Sequence, residues 1–205
     1  RMTGITDGEA KAIICKLVKG ADVSEIYSPE RVVEAARKMG LAGGLSLDIT
    51  TSDSDGRKWD FTGPEMRRMA VRHVMEDKPL LLIGSPMCTM FSTLQNLNWG
   101  KTEARDIAMQ YRYEEAVKHM KFVASLYKMQ IKAGRYFLHE HPRRASSWNL
   151  KCIADILKDE RVFRCEADMC QYGLQSEDAQ GNGLALKPTS FMTNSPCMAQ
   201  RLSRK

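Results

Sequence analysis

Cys88 is the side chain of this sequence best placed to do covalent chemistry. It comes shortly after the unbroken apolar run 79–84, in the segment Gly84-Ser85-Pro86-Met87-Cys88-Thr89-Met90-Phe91-Ser92. A thiolate is a strong nucleophile, so a cysteine on a loop that follows a buried strand is a candidate catalytic group. The plainer alternative is an inert core thiol, because cysteine is among the most buried residue types. The surrounding elements decide which of the two is favoured.

Apolar runs and helical stripes alternate along the chain. Strands are predicted at 21–27, 45–49, 79–84 and 136–138, from residue 162, and around Phe191 and Met192. Helices are predicted from the stripe Val32, Val33, Ala36 and Met39, from the start signals Thr62, Pro64 and Glu65, over 106–133, and around Leu150 to Leu157. This alternation predicts an α/β fold with a doubly wound, mostly parallel sheet and helices on both faces.

Ligands of such a sheet bind beyond the carboxyl ends of its strands. The rule selects the segments 24–28, 85–92, 139–142 and 171 onward, together with Asp48 and Asp60. Cys88 falls in this set, which favours the functional interpretation.

The chain is long enough for one sizeable core, so a single domain over 1–205 is predicted. Thr6 and Glu9 have capping-box spacing ahead of an apolar stripe, which predicts that 1–20 is a helix packing on that core. The segment 195–205 is predicted to be a basic tail.

Composition points to a soluble intracellular protein with an anionic partner. The formal net charge is +6, and nucleic acid is the commonest partner of such chains, although some soluble proteins are simply basic. No stretch has the length of a membrane span, and the first residues lack a signal peptide, so a location in cytoplasm or nucleus without membrane contact is predicted. The six scattered cysteines are expected to be reduced thiols.

The segment around Cys88 resembles the catalytic loop of cytosine-5 DNA methyltransferases, which reads roughly Gly-Pro-Pro-Cys-Gln-x-Phe-Ser. Pro86, Cys88, Phe91 and Ser92 match this pattern, while Met87 and Thr89 depart from it. Glu140-His141-Pro142 resembles the family's Glu-Asn-Val or Glu-Asn-Pro step, with His141 as the departure. The pair of segments 170–173 and 187–194 is similar to the variant found in phage-type members.

The resemblance implies a Rossmann-like methyltransferase core and a site for S-adenosylmethionine. The segment 22–29 lies where the family has Asp-Leu-Phe-x-Gly-x-Gly, but both glycines are missing. Asp48 and Asp60 are placed like the acidic residues that contact the ribose and the adenine. The cofactor-binding residues implied in this way are Asp22, Ser24, Ser28, Asp48, Asp60, Ser85 and Pro86.

The activity implied by the resemblance is methyl transfer to carbon 5 of cytosine in DNA or RNA. Cys88 would add to carbon 6, and Glu140 would hold ring nitrogen 3 and the exocyclic amine. The target base would have to leave its stack or be single-stranded. The residues expected to contact nucleic acid are Ser92, Arg143, Arg144, Lys187, Thr189 and Asn194.

Two other functions stay open at this point. The first is a methyltransferase-like domain that no longer catalyses and serves as a nucleic-acid-binding or scaffold module, for example within the polyprotein of a mobile element. The second is a zinc enzyme in which Cys165, Cys170 and Cys197 join His139 or His141, although this spacing is poor for zinc and no metal site is predicted.

Overall fold

A computed structural model of the protein describes residues 20–98, 100–178 and 181–204. The helix predicted for 1–20 therefore lies almost entirely outside the described residues. The strands are β1 Val23–Ile26, β2 Gly43–Leu47, β3 Leu81–Gly84, β4 Tyr136–Pro142, β5 Phe163–Asp168, β6 Gln175–Asp178, β7 Gly181–Leu184 and β8 Pro188–Thr193. The helices are α1 Val32–Lys38, α2 Pro64–Asp77, α3 Glu103–Lys132, α4 Lys151–Leu157 and α5 Pro196–Leu202.

Six strands form one sheet in the order β2-β1-β3-β4-β8-β5, and β6 pairs with β7 in a separate hairpin. The first four strands of this order are parallel to their neighbours. β8 runs antiparallel to both β4 and β5. The prediction of an α/β fold with a mostly parallel sheet is thus confirmed, while the hairpin was not predicted.

Helices cover both faces of the sheet. On one face, α2, α3 and α4 enclose a large core that includes Leu82, Phe137 and Met192. On the other face, α1 packs on β1 and β2, and α5 packs on β5 and β8. In the described part of the chain, no helix combines the length and the apolar character that a membrane crossing requires.

Two boundaries differ from the sequence prediction for local reasons. β4 continues through Pro142, because β8 pairs with it from Leu138 to Pro142, so Glu140 lies inside a strand rather than after it. The predicted basic tail contains α5: Ser195 caps it by accepting a hydrogen bond from the N–H of Met198 at 3.4 Å, with Pro196 in its first turn.

Candidate active site

The candidate site lies where the order of the parallel strands reverses. β1 and β3 are neighbours, with Ile26 opposite Gly84, and β2 and β4 lie outside them. The connections after β1 and β3 therefore leave in opposite directions and open a crevice at the carboxyl edge, which is the usual ligand position in such sheets. Ser28, Ser85 and Pro86, three of the residues expected to contact the cofactor, lie at this crevice.

Cys88 follows β3 on a loop that is anchored by Phe91. The carbonyl of Cys88 accepts a hydrogen bond from the N–H of Phe91 at 2.9 Å, and Phe91 is completely buried. Its ring makes edge contacts with Tyr113 and His141. The cysteine itself is half-buried. The burial of Phe91 therefore fixes the loop and leaves the thiol partly accessible at the edge of the sheet.

Glu140 reaches the same edge from the neighbouring strand. Gly84 lies opposite His139 in the parallel β3–β4 pair, so Glu140 is one residue beyond the end of β3. Its Oε1 accepts a hydrogen bond from Nζ of Lys187 at 3.2 Å, and its side chain keeps 23% of its surface exposed. The structure thus brings Cys88, Glu140 and Lys187 to one edge of the sheet, with Lys187 as the partner of the carboxylate.

The remaining residues predicted to contact nucleic acid are dispersed. Arg143 is paired with Asp168 at 2.6 Å and with Glu166 at 3.4 Å, whereas Arg144 is exposed. Two carboxylates therefore already neutralise Arg143, and Arg144 is the more available cation.

Ser92, Thr189 and Asn194 have structural partners. Ser92 is half-buried and accepts a hydrogen bond from the N–H of Leu94, and Thr189 is fully buried. Asn194 lies at the opposite edge of the sheet, where it accepts from the N–H of Phe137 and donates to the carbonyl of Arg135, both at 2.9 Å. That position separates Asn194 from Cys88 and does not support the predicted contact.

Glu25 accepts most of the side-chain hydrogen bonds that hold the loop between β1 and α1, although the sequence analysis did not identify it as a candidate residue. Its side chain is completely buried. The carboxylate accepts hydrogen bonds from the N–H groups of Arg31, Val32 and Val33, at 2.8, 3.4 and 3.1 Å, and from the hydroxyl of Ser28 at 2.8 Å. A negative side chain of the protein thus occupies the place where nucleotide-binding folds usually hold a phosphate.

Tyr27 makes a sharp turn of the backbone directly after β1. Its φ of +58° lies in the left-handed region that favours glycine. The ring packs edge-on against Phe61, and the hydroxyl shares a 2.9 Å hydrogen bond with Nδ1 of His119. The loop therefore turns sharply without glycine, and its aromatic side chain points into the protein.

Asp22 and Ser24 lie away from this crevice. Asp22 precedes β1, and its Oδ2 accepts from the N–H of Ala42 at 2.7 Å. Ser24 is buried within β1, where it donates to Asp77 and accepts from the N–H of Leu45. Both tie β1 to its neighbours at the amino side of the sheet, so their positions do not support the predicted cofactor contact.

Asp48 and Asp60 are better placed, since each is half-buried on the chain that follows β2. Oδ1 of Asp48 accepts from the N–H and hydroxyl of Thr50, at 2.9 and 2.6 Å. Oδ1 of Asp60 accepts in the same way from Thr62, at 2.9 and 2.8 Å. These bonds lower the pKa of Asp60. Each carboxylate is thus held in a fixed turn by one of its oxygens.

Two buried histidines lie beneath the Cys88 loop, and from the sequence they were considered only as zinc ligands in the alternative given above. His139 and His141 point to the same face of β4 and stack with ring centroids 5.4 Å apart. His139 shares a 3.0 Å hydrogen bond with Tyr127, and His141 shares one of 2.7 Å with Ser147. Their i, i+2 spacing on a strand was the available signal.

Burial lowers the pKa of both histidines, that of His139 well below its usual value and that of His141 to about 4. The backbone of Pro86 and Met87 opposes the shift at His141. Within the described ranges, Nε2 of neither ring has a partner in hydrogen-bond geometry. Both rings are therefore neutral at pH 7.

A cleft of about 600 Å³ opens beside the Cys88 loop. Its walls include Thr62, Met87, Thr89, Arg105, Arg112 and His119. Burial lowers the pKa of His119, which leaves a neutral imidazole, hydrogen-bonded to Tyr27, in the wall. The cleft extends the candidate site from the sheet edge along α3.

The structure does not support the zinc alternative. Among the described residues, no three His, Cys, Asp or Glu side chains lie close enough together to hold a metal ion. Cys165 packs on the face opposite the two histidines.

A comparison with models of known protein families and a comparison with curated proteins each find no match.

Proposed function

We propose that this domain binds cytosine in nucleic acid at the Cys88 loop and transfers a methyl group to its carbon 5. The observation that carries the proposal is the arrangement of Cys88 and Glu140. Cys88 follows β3, and Glu140 lies in the neighbouring parallel strand β4, one residue beyond the end of β3. Both lie at one edge of the sheet, beside the crevice where the strand order reverses. The resemblance of the Cys88 and Glu140 segments to the cytosine-5 methyltransferases supplies the reaction.

In this proposal the thiolate of Cys88 adds to carbon 6 of the ring and raises the electron density at carbon 5. Glu140 accepts a hydrogen bond from the exocyclic amine, and Lys187 keeps the carboxylate at the sheet edge. Once carbon 5 carries the methyl group, its proton passes to solvent and the double bond between carbons 5 and 6 forms again. The bond between sulfur and carbon 6 then breaks and releases Cys88 as a thiolate. The phenyl ring of Phe91 holds the loop in place throughout.

The side chains at the crevice are more compatible with a positively charged cofactor than with a nucleotide phosphate. Glu25 occupies the N–H groups at the start of α1 and would repel a phosphate there, whereas its negative charge is compatible with a sulfonium and an ammonium group. Asp48, Asp60 and Ser85 would hold the remainder of S-adenosylmethionine. When bound, that cofactor supplies an electrophilic methyl group.

The test is transfer of labelled methyl from S-adenosylmethionine to cytosine-containing single-stranded DNA and RNA. We expect incorporation by the wild type and at least a 100-fold loss, about 3 kcal/mol in activation free energy, in Cys88→Ala. Cys197→Ala, which removes an exposed cysteine on α5, is the matched control and should retain activity.

A covalent adduct gives a second, independent readout. When the oligonucleotide contains 5-fluorocytosine, the fluorine on carbon 5 cannot be removed in the way that a proton is. Elimination is therefore blocked, and the bond between sulfur and carbon 6 should persist. The protein joined to the oligonucleotide should then migrate more slowly on a denaturing gel. The proposal fails if wild type and Cys88→Ala behave alike in both assays.

A second candidate is a domain that binds nucleic acid without transferring a methyl group. The observation that favours it is the loop after β1, in which Ile26, Tyr27, Ser28 and Pro29 all carry side chains where the family has an open, glycine-containing loop. Calorimetry separates the two functions: cofactor binding with transfer supports the first, and nucleic-acid binding that is unaffected by the cofactor supports the second.

A further inference from the structure

A second cleft, of about 530 Å³, lies on the outer face of the molecule between α2 and α3. Four basic side chains line it: Arg67 and Arg68 from α2, and Lys118 and Lys121 from α3. Apolar atoms of Val71 and Phe122 form its floor, and none of its lining residues is acidic. A cleft with this lining is complementary to a polyanion that also carries flat apolar groups.

The basic cleft continues from the cleft beside the Cys88 loop. Thr62 lines the first cleft and Pro64 the second. On α3 the two linings adjoin, with His119 in the first and Lys118 in the second. From Arg105 to Lys121 the helix rises about 24 Å. The two clefts are thus adjacent, and together they form one track that starts beside the Cys88 loop.

The cations of the track differ in how firmly they are held. The guanidinium of Arg67 donates to the carbonyls of Phe61 and Thr62, at 2.6 and 2.9 Å, which fixes it at the junction of the clefts. Lys118 is paired with Glu115. Arg68 and Lys121 are exposed, and they can turn toward a ligand phosphate.

We infer that single-stranded nucleic acid lies along this track, with phosphates against the cations of α2 and α3 and bases over the apolar floor. The inference rests on the proposed function for the class of partner. Only unpaired bases can reach a floor between two helices, and base stacking on aromatic and apolar side chains tolerates any sequence. The track would then position the strand so that one base enters beside Cys88.

The test measures binding of a fluorescein-labelled, mixed-sequence single-stranded oligonucleotide by anisotropy over a range of salt concentrations. The protein carries Cys88→Ala, and no cofactor is added, so that no reaction intervenes. We expect Arg68→Glu with Lys121→Glu to weaken binding about tenfold or more, and to reduce the slope of log K against log salt by about 1.4. Both positions are exposed, and circular dichroism would check that the fold is kept.

The matched control is Lys128→Glu with Lys132→Glu. These exposed lysines lie further along the same helix, outside the cleft lining, and the charge change is the same. This pair should change the affinity by less than about threefold, as expected for a general charge effect at a distance. Equal weakening by the two pairs would overturn the inference, as would tighter binding of the matched duplex than of the single strand.

Methyl transfer to a cytosine-containing dinucleotide reports on the proposed function alone, because a dinucleotide is too short to span both clefts. If the dinucleotide is methylated and Arg68→Glu with Lys121→Glu leaves oligonucleotide binding unchanged, the track is wrong while the function stands. If binding is lost in that variant and no substrate is methylated, the track stands while the function fails.

Discussion

At the scale of single residues, the buried carboxylate of Glu25 holds the loop between β1 and α1 in place. A buried carboxylate is costly unless hydrogen bonds satisfy it, and here three backbone N–H groups and one hydroxyl do so. The same bonds hold the loop in place and occupy the start of α1. One side chain therefore stabilises the turn and, under the proposed function, would favour a cationic ligand in the crevice.

Glu25→Gln should destabilise the protein by about 1–3 kcal/mol, because an amide NH₂ would face backbone N–H groups that have lost their acceptor. Urea unfolding monitored by circular dichroism measures the change. Glu30→Gln is the control, since Glu30 pairs with Arg37 on the surface and should lose less than about 1 kcal/mol. Equal losses in the two variants would contradict the role assigned to the Glu25 carboxylate.

At the scale of elements, the close contact between β3 and α3 positions the Cys88 loop. Gly84 is the last residue of β3, and its carbonyl accepts a hydrogen bond from the hydroxyl of Tyr127 at 3.3 Å. A Cβ at this position would collide with that hydroxyl and lie 2.9 Å from Cγ2 of Val123. Glycine here lets the long helix approach the strand that leads to the candidate nucleophile.

Gly84→Ala should therefore cost about 1–3 kcal/mol in stability, as other overpacked sites do, and should lower any Cys88-dependent activity through displacement of the loop. Gly63→Ala is the matched control, because its Cβ would find its nearest neighbour at 3.8 Å and its φ is not positive. Thermal unfolding of both variants tests this: comparable melting temperatures would refute the tight contact.

The elements and the candidate site differ in how far the sequence predicts them. Apolar runs and helical stripes predict β1, β3, α2 and α3, because each element buries a periodic set of side chains. Because the apolar run of β3 ends at Gly84, the sequence also predicts that Cys88 lies at the carboxyl edge of the sheet. The pairing of Lys187 with Glu140 could not be predicted, since it depends on β8 running between β4 and β5. Glu25 was missed because its partners are backbone groups, which leave no pattern in the sequence.

At the scale of the whole molecule, the two buried histidines make stability depend on pH. The pKa of His139 and of His141 is lower in the folded chain than the unperturbed value. Below about pH 6.5 the unfolded chain binds protons that the folded chain does not, so the free energy of unfolding falls as the pH falls toward the folded pKa. His119 acts in the same direction.

We expect a loss of about 2 kcal/mol between pH 7 and pH 5 from His141 alone, given its folded pKa of about 4. Urea unfolding across this range measures the slope. His141→Gln should flatten it even if the variant is less stable throughout. Identical slopes in wild type and His141→Gln would contradict this account.

The antiparallel strand β8 also determines the order in which the protein can be completed during synthesis. β5 pairs only with β8 among the described strands, and β4 needs β8 on one side. Until residue 193 has left the ribosome, β4 therefore presents an open edge that can pair with other chains. Cys88 is therefore synthesised long before β8 closes the open edge of β4, the strand that carries Glu140. Lys187, the partner of Glu140, emerges in the same late stretch as β8.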